Sequence, residues 1–190
     1  MMIKVCGITR REDAVAAAEA GASALGFIFY RDSPRYVAPE RAAEIGDALP
    51  VLKVGVFVDE APAVIEAAIR TAKLDVAQLY GGHVPGGARV WRAFRMVPGV
   101  GAPPVDGVEA VLLDGPANGV SFDWAWARGA AEKVIVAGGL DASNVAEAIR
   151  TAQPWGVDAS SRLETAPGIK DHEKVRAFVD AARKAGEQTS

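Results

Sequence analysis

Cys6 is the only cysteine in the 190 residues, and it stands in the stretch Lys4-Val5-Cys6-Gly7-Ile8-Thr9, where an apolar run gives way to helical pattern. One thiol forms no internal disulfide, and no cysteine–histidine cluster with zinc spacing accompanies it. Taken alone, it reads as a small apolar residue filling a core. Asp114 closes a second apolar run, Val111-Leu112-Leu113. A carboxylate is costly to bury alone, so it belongs at a cavity mouth with a partner or a ligand. For a lone aspartate, a helix cap or a salt bridge at a loop start is the simpler reading. Asp158 raises the same choice between orienting its loop and touching a ligand.

Gly138-Gly139 precedes Asp141-Ala142-Ser143-Asn144, which opens a helical stretch, and Ser160-Ser161 follows one unit later. Glycine lets backbone approach a ligand, and a helix N-terminus offers free N–H groups to an anion. Two glycines alone make a tight turn. Together with the serine pair they favour a phosphate cradle. Arg35, in Ser33-Pro34-Arg35-Tyr36, has a fork that matches a carboxylate or phosphate. Without context it is an ordinary solvated arginine. His83 and His172 fall in a loop and at a helix start, where neither is placed as a base or a metal ligand.

These residues need elements to position them. Apolar, β-branched runs recur at Ile3–Cys6, Ala24–Phe29, Leu52–Val58, Asp75–Leu79, Arg89–Phe94, Ala110–Asp114, Val134–Ala137 and Gly156–Ser160. Most start about 20 to 28 residues apart, the size of one strand–helix unit. Near-continuous apolar runs suit a covered parallel sheet. Helical spacing fills most gaps, as in Ile65, Ala68, Ile69, Ala72 and in Val145, Ala148, Ile149, Ala152 and in Val175, Phe178, Val179, Ala182. Thr9-Arg10-Arg11-Glu12 has the form of a capping box. Pro39 and Pro62 suit first helical turns, and Gly21 a helix stop.

Gly81–Gly87 and Pro98–Gly107 carry Gly and Pro but no helical period, so helices four and five are expected to be reduced or missing. Val97, Val100, Val105 and Val108 are available to cover that flank. Eight units favour a closed (β/α)8 TIM barrel over an open doubly wound sheet, although the chain is short for one. With no linker or low-complexity segment, residues 1–190 read as a single domain. In such a barrel the chemistry sits at the carboxyl ends of the strands, where the polar residues and glycines of this chain gather.

Half of the residues are hydrophobic and the formal net charge is −3, without a basic stripe, so nothing points to nucleic acid. No apolar run approaches the roughly 18 residues of a membrane span. The opening residues turn charged too early for a secretory signal. The expectation is a cytoplasmic protein.

The motifs KVCGIT, GFIFYRDSPRYV, VGVFVDE, QLYG, LLDG, FDW, VAGGLDASNV and VDASSRLETAPGIKDHEKV resemble, in order, those of the phosphoribosylanthranilate isomerases. The resemblance runs from residue 3 to about 180 and is weakest over 81–108. It implies a (β/α)8 barrel that isomerises N-(5-phosphoribosyl)anthranilate by an Amadori rearrangement in tryptophan synthesis. It implies no cofactor and no metal, a phosphorylated small-molecule substrate, and a monomer or homodimer. By motif match Cys6 is the general base and Asp114 the general acid. Arg35 resembles the arginine holding the anthranilate carboxylate. Asp158 matches an aspartate near the ribose hydroxyls. Gly138, Gly139, Ser160 and Ser161 correspond to the phosphate cradle.

Three departures stand out. The loop Gly115-Pro116-Ala117-Asn118-Gly119-Val120 is shorter and less glycine-rich than usual. Tyr80 stands where histidine is common, and Arg162 where glycine is frequent.

A free thiol with a pKa of about 8.5 needs positive charge to act as a base near neutrality. Lys4, two residues earlier and on the same face of a regular strand, is expected to favour the Cys6 thiolate. An apolar surround including Leu112 is expected to raise Asp114 and keep its proton. A related dual-substrate isomerase would carry an aspartate in place of Cys6. A silent phosphate-binding barrel would draw support only from the altered loop. A Schiff-base aldolase would need a motif around Lys4 or Lys53, and a metal epimerase would need histidines.

Overall fold

The computed structural model describes residues 1–97 and 106–188. Eight parallel strands close into a barrel in chain order: β1 (Met2–Cys6), β2 (Ala24–Ile28), β3 (Leu52–Val58), β4 (Val76–Tyr80), β5 (Val90–Arg95), β6 (Ala110–Asp114), β7 (Val134–Val136) and β8 (Gly156–Ala159). β1 pairs with β8 through Lys4 opposite Asp158, which completes the ring. All eight expected strands are present, with ends shifted by a residue or so.

Among the described residues five α-helices cover the outside: α1 (Arg11–Ala20), α2 (Pro39–Gly46), α3 (Pro62–Ala72), α4 (Val145–Ala152) and α5 (His172–Glu187). Pro39 and Pro62 sit in first turns, and Gly21 closes α1 in a left-handed conformation with φ 100°. Helices of eight residues such as α4 do not persist alone in water. α4 holds because Val145, Ala148, Ile149 and Ala152 are all buried against the barrel and α5.

The capping box is a correction. Arg10 is the N-cap of α1 and makes no side-chain cap bond; the Thr9 hydroxyl donates instead to the Gly168 carbonyl. That bond ties β1's exit to the antiparallel hairpin β9 (Glu164–Ala166) and β10 (Ile169–Lys170), which follows β8. A tertiary partner outcompeted the local one.

Among the described residues no helix joins β4 to β5 or β5 to β6, as expected. The part of that expectation falling on 98–105, with Val100 and Val105, lies outside the described residues. The segment after β6 holds a 3-10 turn, Trp124–Ala127, capped by the Asp123 carboxylate.

Side chains of even-numbered positions on β1, β4, β6 and β8 point into the barrel, because direction alternates along a strand. The lower barrel is filled by a cluster including Met2, Val54, Trp91, Leu112 and Ile135. Trp91 is fully buried there and contributes about 4–6 kcal/mol by area. Ala24, Ala93, Ala110 and Ala137 make room for it. Above that layer the same phase delivers Lys4, Cys6, Gln78, Tyr80, Asp114 and Asp158.

No helix among the described residues is long and apolar enough to cross a membrane.

Candidate active site

A cavity of about 630 Å³ opens at the carboxyl ends of the strands, a size suited to a small organic ligand. Cys6, Arg35, Asp114, Gly138, Gly139, Asp158, Ser160 and Ser161 all line it, so the barrel brings together the eight residues given roles by motif match.

Cys6 is buried at the end of β1, opposite Gly26 of β2. A Cβ at Gly26 would lie 2.6 Å from the Cys6 sulfur, so only glycine leaves the thiol its place. Burial pushes the thiol above its ordinary range, and the Lys4 ammonium pulls against this. The expected help from Lys4 is real in direction but is outweighed by desolvation.

Lys4 itself is fully buried and donates to Oδ2 of Asp158 at 2.9 Å. Burial disfavours its ammonium, but Asp158 and Cys6 outweigh that and hold it charged. Burial raises the Asp158 carboxyl and Lys4 opposes the rise. Oδ1 of Asp158 is buried without a hydrogen-bond partner, as is Oε1 of Gln78. Both residues line the cavity, and buried acceptors left open this way suit the hydroxyls of a ligand.

Asp114 ends β6. Burial raises its carboxyl above 3.8, while Tyr80, Arg95 and the Gly115 amide pull it down. The Tyr80 hydroxyl donates to its Oδ2 at 3.0 Å. Desolvation and the nearby Asp114 hold the Tyr80 phenol well above its usual range, so it stays a donor.

Arg35 is not the free arginine that sequence alone favoured. Its Nε and Nη2 donate to the two carboxylate oxygens of Glu164 at 2.8 and 2.7 Å. The fork is thereby aimed into the cavity, with Nη1 bearing no bond among the described residues. Glu164 also accepts from Lys170 at 2.8 Å. Burial alone would raise Glu164, but Arg35 and Lys170 outweigh it and hold the carboxyl below its usual range. Sequence reasoning missed Glu164, Lys170 and Gln78. Their only signal was membership of the quoted motifs, which says nothing of contacts.

At the anion end, Gly138 and Gly139 take φ of 85° and 63°. A Cβ at Gly139 would lie 2.7 Å from the Gly119 carbonyl oxygen, so the loop after β6 lies directly on this pair. The Ser160 hydroxyl donates to the Cys6 carbonyl at 3.0 Å, so it holds β8 to β1 rather than offering itself to a ligand. The Ser161 hydroxyl makes no side-chain bond among the described residues. Arg162 is half exposed but does not stand free. It donates to Oδ2 of Asp141 at 3.2 Å and to the Gly119 carbonyl at 3.3 Å. It thus straps together the loops after β6, β7 and β8. No group of three or more metal-ligating residues occurs among the described residues.

The arrangement offers a thiol and a carboxylic acid over one cavity, an aimed guanidinium, two open acceptors and a glycine-built anion end. Known proteins resemble it closely. The family model of N-(5'-phosphoribosyl)anthranilate isomerase matches residues 3–181. A protein of that name from Solibacter usitatus is 51% identical, over 97% of this chain and 98% of its own length. The crystal structure of the Thermus thermophilus phosphoribosyl anthranilate isomerase superposes with a TM-score of 0.89 at 37% identity, covering 97% and 99% of the two chains. Another isomerase, in complex with reduced 1-(o-carboxyphenylamino)-1-deoxyribulose 5-phosphate, gives 0.83 at 33% identity, again covering 97% and 99%. The chain belongs to the N-(5'-phosphoribosyl)anthranilate isomerase family.

Proposed function

We propose that this chain, as a single barrel domain, converts N-(5-phosphoribosyl)anthranilate to 1-(2-carboxyphenylamino)-1-deoxyribulose 5-phosphate in tryptophan synthesis, with no cofactor. The observation that carries the reading is that Cys6 and Asp114, from the ends of β1 and β6, line one cavity with Arg35 and the Gly138-Gly139 turn.

Protonated Asp114 gives its proton to the ribose ring oxygen. The bond from that oxygen to the anomeric carbon breaks, and the anthranilate nitrogen lone pair forms an iminium. The Cys6 thiolate then takes the proton from the adjacent carbon. The C–H electrons form a C=C bond and the C=N pair returns to nitrogen. A proton shift from the resulting enol to the former anomeric carbon yields the ketone. Each proton transfer contributes about 10²–10⁴-fold.

Burial favours the neutral Cys6 thiol, so the base is the fraction that has first released its proton to solvent through the cavity mouth. Lys4 draws it down, and the iminium adds a second positive charge when the base is needed. Arg35 takes the anthranilate carboxylate, Asp158 and Gln78 the ribose hydroxyls, and Gly138, Gly139, Ser160 and Ser161 the phosphate, the serines through backbone and the Ser161 hydroxyl.

The test is loss of anthranilate-type fluorescence when purified protein meets phosphoribosylanthranilate. Turnover that disappears in Cys6→Ala supports the reading. Absence of turnover in the unmodified chain, or its survival in Cys6→Ala, overturns it.

A further inference from the structure

Tyr80 ends β4, two strands from Asp114. Its register partner on β5 is Ala93, which in turn pairs with Leu112 of β6, while Arg95 pairs with Asp114. The small Ala93 lets the phenol reach across β5, and its hydroxyl donates to Oδ2 of Asp114 at 3.0 Å. Arg95 Nη1 lies 3.6 Å from that same oxygen, and its guanidinium carbon sits 5.8 Å from the Tyr80 ring centre. A hydrogen-bond donor and a positive charge from two strands therefore converge on one oxygen of the acid.

We propose that Tyr80, backed by Arg95, is a positioning residue for the isomerisation: it reserves Oδ2 of Asp114 as an acceptor, leaves the transferable proton on Oδ1, and stabilises the carboxylate formed on transfer. The inference rests on Asp114 being the acid. A guanidinium beside Oδ2 repels a proton there, and an oxygen accepting from a phenol gains by staying unprotonated. In the step itself the Oδ1–H bond breaks, the proton joins the ribose ring oxygen, and the negative charge left on Asp114 falls on the oxygen already held by the phenol and faced by the guanidinium. The phenol and the guanidinium bind the carboxylate more strongly than the acid, so they act on the transition state more than on substrate binding. The other groups facing Asp114 are the Gly115 amide on its own strand end and, from β1 and β8, Lys4 and Asp158.

The experiment compares the unmodified chain with Tyr80→Phe, which keeps the ring and removes the donor. It measures steady-state constants and titrates the Asp114 carboxyl by its carbon resonance. In Tyr80→Phe, kcat falls about tenfold with KM within about twofold, as for loss of a bond to a group that becomes charged. The Asp114 midpoint moves upward, because a donor to its charged form has gone. Arg95→Gln, at an exposed edge, moves the midpoint the same way and by less, and carries the test should Tyr80→Phe fail to fold. An unmoved midpoint in the variants that fold overturns the inference, whether or not kcat falls. A parallel rise of KM with no change of kcat also overturns it, since Tyr80 would then only shape the cavity. Asp114→Asn separates the two readings: if it keeps turnover, the acid assignment itself is wrong; if it loses turnover while Tyr80→Phe changes nothing, only the role of Tyr80 fails.

Discussion

Nζ of Lys4 and Oδ2 of Asp158 lie 2.9 Å apart inside the barrel, where β1 and β8 close the ring. The pair joins the first strand to the last and sets a positive charge beside Cys6. Breaking it from the lysine side strands a buried carboxylate. Lys4→Met is expected to cost about 3–5 kcal/mol of stability, measured by urea unfolding. A loss below about 1 kcal/mol would mean the pair is not held as described.

The same charge pulls the Cys6 thiol down against burial. Thiolate ultraviolet absorbance followed against pH should give a midpoint above the ordinary thiol range in the unmodified chain. In folded Lys4→Met that midpoint moves further up. An unchanged midpoint removes Lys4 from any role in the base.

Cys6→Ala and Asp114→Asn should each lose at least about a hundredfold in kcat while substrate or product binding stays within about tenfold. Both groups move protons rather than hold the ligand. Stopped-flow binding of a product analogue separates the two quantities, and loss of binding equal to loss of rate would contradict the roles.

Glu164 aims Arg35, so Glu164→Gln should raise KM for the carboxylate-bearing substrate about tenfold with a smaller change in kcat. A second readout concerns stability. The folded carboxyl lies below its unfolded value of 4.5, so its contribution is present above that pH and is lost as pH falls through the lower folded value. Urea midpoints followed from neutral into acid should therefore fall less steeply for Glu164→Gln than for the unmodified chain. Parallel curves would show that Arg35 and Lys170 gain nothing from Glu164.

Arg162 straps the Gly119 carbonyl to Asp141 across the anion end. It is half exposed, so Arg162→Gly should change substrate affinity by no more than about fivefold. The loop 115–120 should nonetheless exchange its amides faster. Unaltered exchange there would mean that the Gly138-Gly139 contact alone holds the loop.

Much of this architecture is written in local pattern. The apolar runs mark all eight strands because a covered parallel strand has no solvent face to alternate with. Pro39, Pro62 and Gly21 mark helix ends because their backbone constraints act within one turn. The asymmetry of polar strand ends and apolar strand bodies revealed the mouth, and quoted motifs pointed to Cys6, Arg35, Asp114 and Asp158. What stayed hidden was partnership. Arg35 and Glu164 are 129 residues apart, Lys4 and Asp158 are 154, and Tyr80 and Asp114 are 34. No spacing rule links such pairs.

Thr9 shows the same limit from the other side. Its sequence context promised a cap, but the hairpin after β8 supplied a carbonyl that no local rule contains. Residue type and periodicity determined which elements form and which way each side chain faces, because those depend on neighbours within a few residues. Ring closure and strand register decided which of those side chains meet, because contact across the barrel depends on how distant strands are aligned. Only that alignment turned a buried thiol, an aspartate and a tyrosine into one site.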